Sequence, residues 1–490
     1  MLLSDSRMSD QTSPTNATEH RSGLVRSAAV FLGIVLAVLV LYIYRESYWR
    51  PYTDAAQESM ASFHAHAFAI ANFAGLTSNP FVAKNFDLSA GRVVVYNHWP
   101  NGFFLTFATF IKMFGNTEMI GRTFALLWTV TGAFLFARAF RDRYGLAYLM
   151  VPVLLLTPLA KGAMSLVFLD SSLFFWIGVI TATATLSEER HRHASVLFRV
   201  TVFVAPLFCQ LIIPFAFFAA LARLLVLRQR RTFLIDLTCL SISSAFILTA
   251  LCWVPAGLAT GAKELWLQFL HRSNIHLRYS EDASFRFLAH ELRWHLIGNL
   301  GKPVTVLLPF SWIYLAFKKR SVAVWMPAVV VYSFLLRNFV ALHPFTNLPL
   351  LAIGLFTTFL GTSLLVVDLM DRWKVGGSQQ EFSRCRSLSP PLCIAAGLVL
   401  LILMSGSKRT YYGVPEPRVA EERALYRRIA LTIDESPCGA FHTIDPIFPD
   451  EMERIGQYYC GRRIVRALQT REPHRLCMIS LHAGTVVSGK

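Results

Sequence analysis

The sequence predicts an all-α polytopic membrane protein of about eleven transmembrane helices, with surface helices on its outer side and a small α/β extramembrane domain at its C-terminus. Three observations predict it. Of 490 residues, 54% are hydrophobic and only 16% charged, and the apolar residues recur in long runs that a single soluble core would not need. The formal net charge of +17 gathers in short Lys/Arg clusters between those runs, the pattern of cytoplasmic loops, and no nucleic-acid partner is expected. Beyond about Ser405 the composition becomes charged and mixed. The chain therefore divides into a disordered cytoplasmic N-terminus (residues 1–26), a transmembrane domain (27–404) and an extramembrane α/β domain (405–490).

Taken in order, Met1 to about Gly23 is rich in Ser, Thr and Asn, and Arg21 and Arg26 precede the apolar run Ala28–Tyr44, which lacks a small-residue cleavage pattern and reads as an uncleaved signal anchor. Arg50-Pro51-Tyr52-Thr53-Asp54 then opens a polar loop that lasts to about Gly102. Within it, Ala55–Ala74 places Met60, Phe63, Ala67, Ile70 and Ala74 on one helical face and Glu58, Ser62 and His66 elsewhere, as in a helix lying on the membrane surface. Phe103–Phe114 is too short to cross, since 12 residues rise about 18 Å against a bilayer core of about 30 Å.

If that segment stays on the surface, the later spans fall into place. They are Arg122–Phe140, Leu146–Val167, Ser171–Leu186, two short spans in Val196–Leu227 broken near Gln210, Phe233–Ala256, Pro303–Phe317, Val322–Leu336, Asn347–Val367 and Pro391–Met404. Every strong basic cluster then lies on one side: Arg141-Asp142-Arg143, Arg190 to His193, Arg228 to Arg231, Lys318-Lys319-Arg320, and the stretch Asp371–Ser389. In the tail, Gly439–Ile444 and Leu476–Leu481 read as strands with a helix over Asp450–Tyr459 between them, and Cys438, Cys460 and Cys477 allow one disulfide whose pairing stays open.

This topology gathers on the opposite face Asp54, the Tyr96-Asn97-His98-Trp99-Pro100 turn, Arg122, Lys161, Asp170, the loop Gly257–Lys302, and Arg337-Asn338 with His343. Each has an ordinary reading. Asp54 fits a first-turn acid behind Thr53, Asp170 fits a cap for the span that Ser171 opens, and the cations fit side chains snorkelling to headgroups. Tyr96, Trp99 and Trp294 fit an interfacial aromatic belt, and His343-Pro344 a turn. Together, two carboxylates and several cations on one face suit transfer of a sugar from a lipid phosphate. An ionised carboxylate activates an acceptor hydroxyl, and cations stabilise charge growing on the phosphate leaving group. A lipid or solute transporter and a non-catalytic scaffold for lipid-linked sugar are the alternatives; against a transporter, no charge stands out near the middle of the spans.

The order of these short motifs resembles the membrane glycosyltransferase-C superfamily, in its aminoarabinose-transferase-like and protein O-mannosyltransferase-like branches. Besides those above, the motifs are Phe114-Gly115-Asn116-Thr117-Glu118 before Arg122, Leu169-Asp170 before an aromatic span, and Arg337 to Phe345 before a late span. The resemblance implies an enzyme that uses a polyprenyl-phosphate sugar and a hydroxyl acceptor by inverting single displacement. It implies Asp54 as base, Asp170 as second carboxylate, Arg122 as support for the first-loop acid, and the Arg337/His343 region on the lipid phosphate. Lys161, Tyr96 and His98 complete the expected substrate-binding set. No cofactor is implied, although the carboxylates are compatible with a divalent metal. Departures from the family pattern are Ala55 after Asp54, Asn97-His98 with Trp99 before Pro100, and Gln210 where a lysine is frequent. Compact loops and the lack of an outer glycosylation sequon place the chain in a bacterial inner membrane, with a cytoplasmic N-terminus and a periplasmic site and tail.

Overall fold

The computed structural model describes residues 14–43, 58–71, 82–87, 92–140, 145–165, 169–188, 193–254, 256–273, 285–337, 340, 344–373 and 397, and four strands in the tail. The first helix, α1 (Pro14–Ile43), starts well before the expected span. The N-terminal tail expected to be disordered to about Gly23 is thus helical from Pro14, a residue whose fixed φ suits a first helical turn. The next described element is the surface helix α2 (Glu58–Ala71), followed by a hairpin of β1 (Val82–Asp87) and β2 (Arg92–Pro100). Here the expected Tyr96–Pro100 turn is corrected to strand. It continues the β-branched run Val93-Val94-Val95, which pairs antiparallel with Lys84 to Phe86.

The 13-residue α3 (Gly102–Phe114) spans about 20 Å and packs on α2. Its first residue has no room for a side chain, because a Cβ on Gly102 would lie 2.5 Å from the Leu207 carbonyl oxygen. Thr117 caps α4 (Glu118–Ala139), accepting a hydrogen bond from Ile120 N at 3.3 Å. A 3-10 turn at Leu146–Leu149 leads into α5 (Met150–Leu155) and α6 (Pro158–Ser165).

The expected single span Leu146–Val167 is therefore broken, with a bend of 70°. Pro158 explains it, since the residue before a proline is pushed out of the helical region. Thr157 then stops one helix and starts the next: its hydroxyl donates to the Leu154 carbonyl at 2.7 Å and accepts from Ala160 N at 3.3 Å.

α7 (Leu169–Glu188) packs closely along α4, where Gly132 and Gly178 let the two helices approach: a Cβ on Gly178 would lie 2.8 Å from the Gly132 carbonyl oxygen. The long apolar stretch after it divides into α8 (Ala194–Val204) and α9 (Ile213–Leu227), with two 3-10 turns around an extended Cys209. α10 (Arg230–Cys252) follows. The loop expected over Gly257–Lys302 instead holds helix α11 (Leu258–Ser273) and the first half of α12 (Phe285–Lys318). α12 bends at Gly301, whose φ of 76° is a left-handed value that a side chain rarely tolerates, two residues before Pro303. The short α13 (Arg320–Ala323), α14 (Trp325–Leu335), a turn at Pro344–Asn347 and α15 (Leu348–Trp373) complete the bundle.

The protein is an all-α polytopic membrane protein in this body. Among the described residues six helices are long and apolar enough to cross a membrane, or seven with the bent pair counted as one span. Shorter apolar helices cover Gly102–Phe114, Ser171–Leu186, Ala194–Leu207 and Arg320–Leu335. In the tail, β3 (Ala440–Thr443), β4 (Arg463–Arg466), β5 (Cys477–Ser480) and β6 (Thr485–Ser488) form one sheet in the order β4-β3-β5-β6. β3 and β5 fall within the two expected strands and run parallel to each other; the expected helix Asp450–Tyr459 and span Pro391–Met404 lie outside the described residues, except for Gly397.

Candidate functional site

Two polar centres form at the ends of the helices away from the basic clusters. The first joins β2, α11 and α14. The guanidinium of Arg272, in the last turn of α11, lies 4.3 Å from the ring centre of Trp99 on β2. Trp99 is 2% exposed and so is not part of a lipid-facing aromatic belt, which corrects that expectation. The next residue, Ser273, offers its carbonyl to Nε of Arg337 at 2.8 Å. Arg337 is thereby held to backbone across the site rather than extended toward headgroups. The strand carrying Tyr96 and His98 and the helix end carrying Arg337 thus meet at the end of α11.

The second centre surrounds α6. Leu159 N donates to Oδ1 of Asn299 at 3.0 Å, and Asn299 Nδ2 donates to the His295 carbonyl at 2.7 Å. α6 also packs on α4 and on the turn Pro344–Asn347, where Asn347 Nδ2 donates to the Val340 carbonyl at 3.2 Å. The helix that carries Lys161 is therefore a neighbour of the segment that follows Arg337. Arg122, in the second turn of α4, is 3% exposed. Asp170 is the second residue of α7, the helix that packs along α4, which carries Arg122. Trp128 and Trp176 both pack on Phe208, at 6.2 and 4.7 Å between ring centres.

α2 is tied to the same end. His64 donates a ring N–H to Oδ1 of Asn116 at 2.8 Å, which links the surface helix to the corner that opens α4. Its ring packs edge-on to Phe107, and that of His66 to Phe104. Phe63, Ala67 and Ile70 are buried as the periodicity implies, but His66 is buried with them, so the expected polar face is not free. The reason is that α3 supplies a broad aromatic wall, which covers more of α2 than one apolar stripe. Burial pushes the His64 pKa down to about 3 against the opposing effect of the Asn116 bond, leaving a neutral imidazole.

Of the expected site residues, Asp54 and His343 lie outside the described residues, and Tyr96, His98, Lys161 and Asp170 are placed by backbone only. Arg272, Asn299, His64 and Asn116 were not anticipated as site-forming residues. The signal in the sequence for Arg272 is its place at the end of the helical stretch Leu258–Ser273. Among the described residues no group of three or more His, Cys, Asp or Glu side chains is placed to hold a metal ion.

Broken spans, surface helices and a polar end built from loops and half-helices belong to a fold shared with solved membrane proteins. The crystal structure of ArnT from Cupriavidus metallidurans bound to undecaprenyl phosphate aligns with TM-score 0.52 over 93% of this chain and 87% of that chain, at 13% identity. Its apo state aligns with TM-score 0.52 over 94% of this chain and 87% of that chain, at 14% identity. The resemblance read from the sequence thus holds at the level of fold. No protein-family model matches the chain, and comparison with curated proteins finds no match.

Proposed function

We propose that the protein transfers a sugar from a polyprenyl phosphate to an acceptor hydroxyl at the end of the bundle away from its basic clusters. The observation that carries this reading is the likeness, over 93% of the chain, to a fold solved with undecaprenyl phosphate bound. The clustering of β2, α11 and α14 around Arg272 and Arg337 supports it. In the proposed step the carboxylate of Asp54 takes the acceptor proton while the acceptor oxygen attacks the anomeric carbon. The bond from that carbon to the phosphate oxygen breaks, its electron pair leaves on the phosphate, and the configuration inverts. Arg337, Lys161 and His343 stabilise the departing phosphate, Asp170 serves as second carboxylate, Arg122 supports the first-loop acid, and Tyr96 and His98 contact the sugar end. With α7, α8 and α13–α14 as further crossings, and Pro391–Met404 as the last, the spans number about eleven. On this reading the sheet of the tail belongs to a small α/β domain on the site's side of a bacterial inner membrane, with the N-terminus in the cytoplasm.

Reconstituted protein given a labelled polyprenyl-phosphate sugar and a membrane extract as acceptor releases polyprenyl phosphate. Asp54→Asn abolishes release without altering the folded fraction. Arg337→Lys, which keeps the charge but loses the planar Nε donor to Ser273, slows release at least about tenfold. Wild-type protein that binds the lipid yet never releases polyprenyl phosphate is a scaffold, and the transferase reading then fails.

A further inference from the structure

We propose that Asn299 is a positioning residue of this site: it fixes the N-terminus of α6 to α12 and so sets the place from which Lys161 meets the phosphate of a polyprenyl phosphate. The assignment rests on the function proposed above. A helix that starts inside a membrane protein carries backbone N–H groups with no intrahelical partner, and the bilayer offers no water to satisfy them. At α6 the cost is met in two ways. Thr157 satisfies Ala160 N from within the same segment, whereas Leu159 N is satisfied from 140 residues away by Asn299.

A local cap would satisfy the donor without tying α6 to anything. The Asn299 amide does both, and its orientation is fixed, because Nδ2 is committed to the His295 carbonyl and a flipped amide would set a donor against Leu159 N. Asn299, His295 and Leu159 are each at most 3% exposed, so no solvent replaces either bond. The tie also sits where two helices break, between the 70° bend at Thr157 and the bend of α12 at Gly301, two residues beyond Asn299. Lys161 is two residues from Leu159 on an eight-residue helix, so a shift of that N-terminus passes directly to it.

The test measures undecaprenyl phosphate binding to the purified full chain in nanodiscs, for wild type, Asn299→Ala, Lys161→Met and the double variant. Asn299→Ala weakens binding about tenfold, and the double variant binds no more weakly than Lys161→Met alone, because there is then no lysine left to misplace. If Asn299→Ala does not fold, Asn299→Gln keeps both hydrogen-bonding groups one methylene further out, and it weakens binding only while Lys161 is present. Losses that multiply in the double variant, or wild-type affinity in both Asn299→Ala and Asn299→Gln, overturn the assignment and leave the proposed function standing. A wild-type chain that binds no polyprenyl phosphate overturns both.

Discussion

The two ends of the bundle are held together by different chemistry. At the basic end, Asp236 of α10 is completely buried between Arg223 of α9, to which it is paired, and Arg199 of α8 at 3.0 Å. Arg223 also donates to Ser195 at 2.9 Å and lies over the Phe198 ring. Asp368 of α15 pairs with Lys318 of α12 and accepts from the Tyr314 hydroxyl, a second charged tie between helices. Among the described residues, ties at the opposite end include single hydrogen bonds to backbone, an amide, a neutral imidazole and a cation over a ring. Full charge locks the end that need only hold topology. The end with the candidate site draws at least part of its cohesion from neutral contacts of this kind.

The largest effect expected from this contrast is at Asp236. Replacing it with alanine leaves the buried Arg223 without its carboxylate, beside the half-buried Arg199, and removing one partner of such a buried pair costs about 3–5 kcal/mol. Asp236→Ala therefore lowers the unfolding midpoint in detergent steeply, while the fraction that remains folded binds undecaprenyl phosphate as tightly as the wild type. Normal stability in this variant, or selective loss of binding, erases the division between the two ends.

These clamps show what sequence patterning conveys and what it does not. The apolar runs located the six or seven long apolar helices of the described residues because hydropathy reports one bulk property, the preference of a segment for lipid or water. The break at Cys209 was legible for a related reason: Val196–Leu227 is too long for one crossing and contains Pro206 and Pro214. The same logic applied to Thr157-Pro158, but the run there had the length of one span, so no excess length called attention to the proline. Arg223 and Asp236 escaped because they lie within apolar runs near their ends, and their 13-residue separation puts them on two helices joined by a turn. Pairing of that kind is visible only once the turn is built. The candidate site was legible as a list of polar residues sharing a face. Its organisation was not, since Asn299 acts across 140 residues and Arg272 through a ring on a strand read as a turn.

The next effect lies in the pH response of the site end. His64 is neutral because burial holds its pKa near 3, well below the ordinary value of 6.5. A folded-state pKa below the unfolded one means that the packing of α2 on α3 is fully stable above about pH 6.5 and weakens as the pH falls toward 3. Between about pH 7.5 and about pH 5.5 the loss is about 1.4 kcal/mol, or a roughly tenfold rise in the opening of α2. Amide exchange over Glu58–Ala71, corrected for intrinsic rates, reports this directly, and His64→Leu lessens the pH dependence. Exchange in α9 and α10 does not follow the same profile, because those helices contain no titrating histidine. An equal response at both ends contradicts the contrast.

The smallest effect is the coupling between Arg272 and Trp99. A guanidinium over an indole contributes about 0.5–2 kcal/mol, more when it is desolvated, and Arg272 is 9% exposed. Arg272→Met keeps the aliphatic stem that fills the space beside β2 and removes the cation, so its cost is that of the contact rather than of a cavity. Combined with Trp99→Leu in a thermal-unfolding cycle, it gives a coupling of about 1 kcal/mol, several-fold below the cost expected at Asp236. A coupling near zero shows that packing places the arginine, whereas one of about 3 kcal/mol or more makes this end as firmly charge-locked as the other. The intermediate value is the one that suits a substrate face: enough to orient a buried cation, and little enough that a phosphate can compete for it.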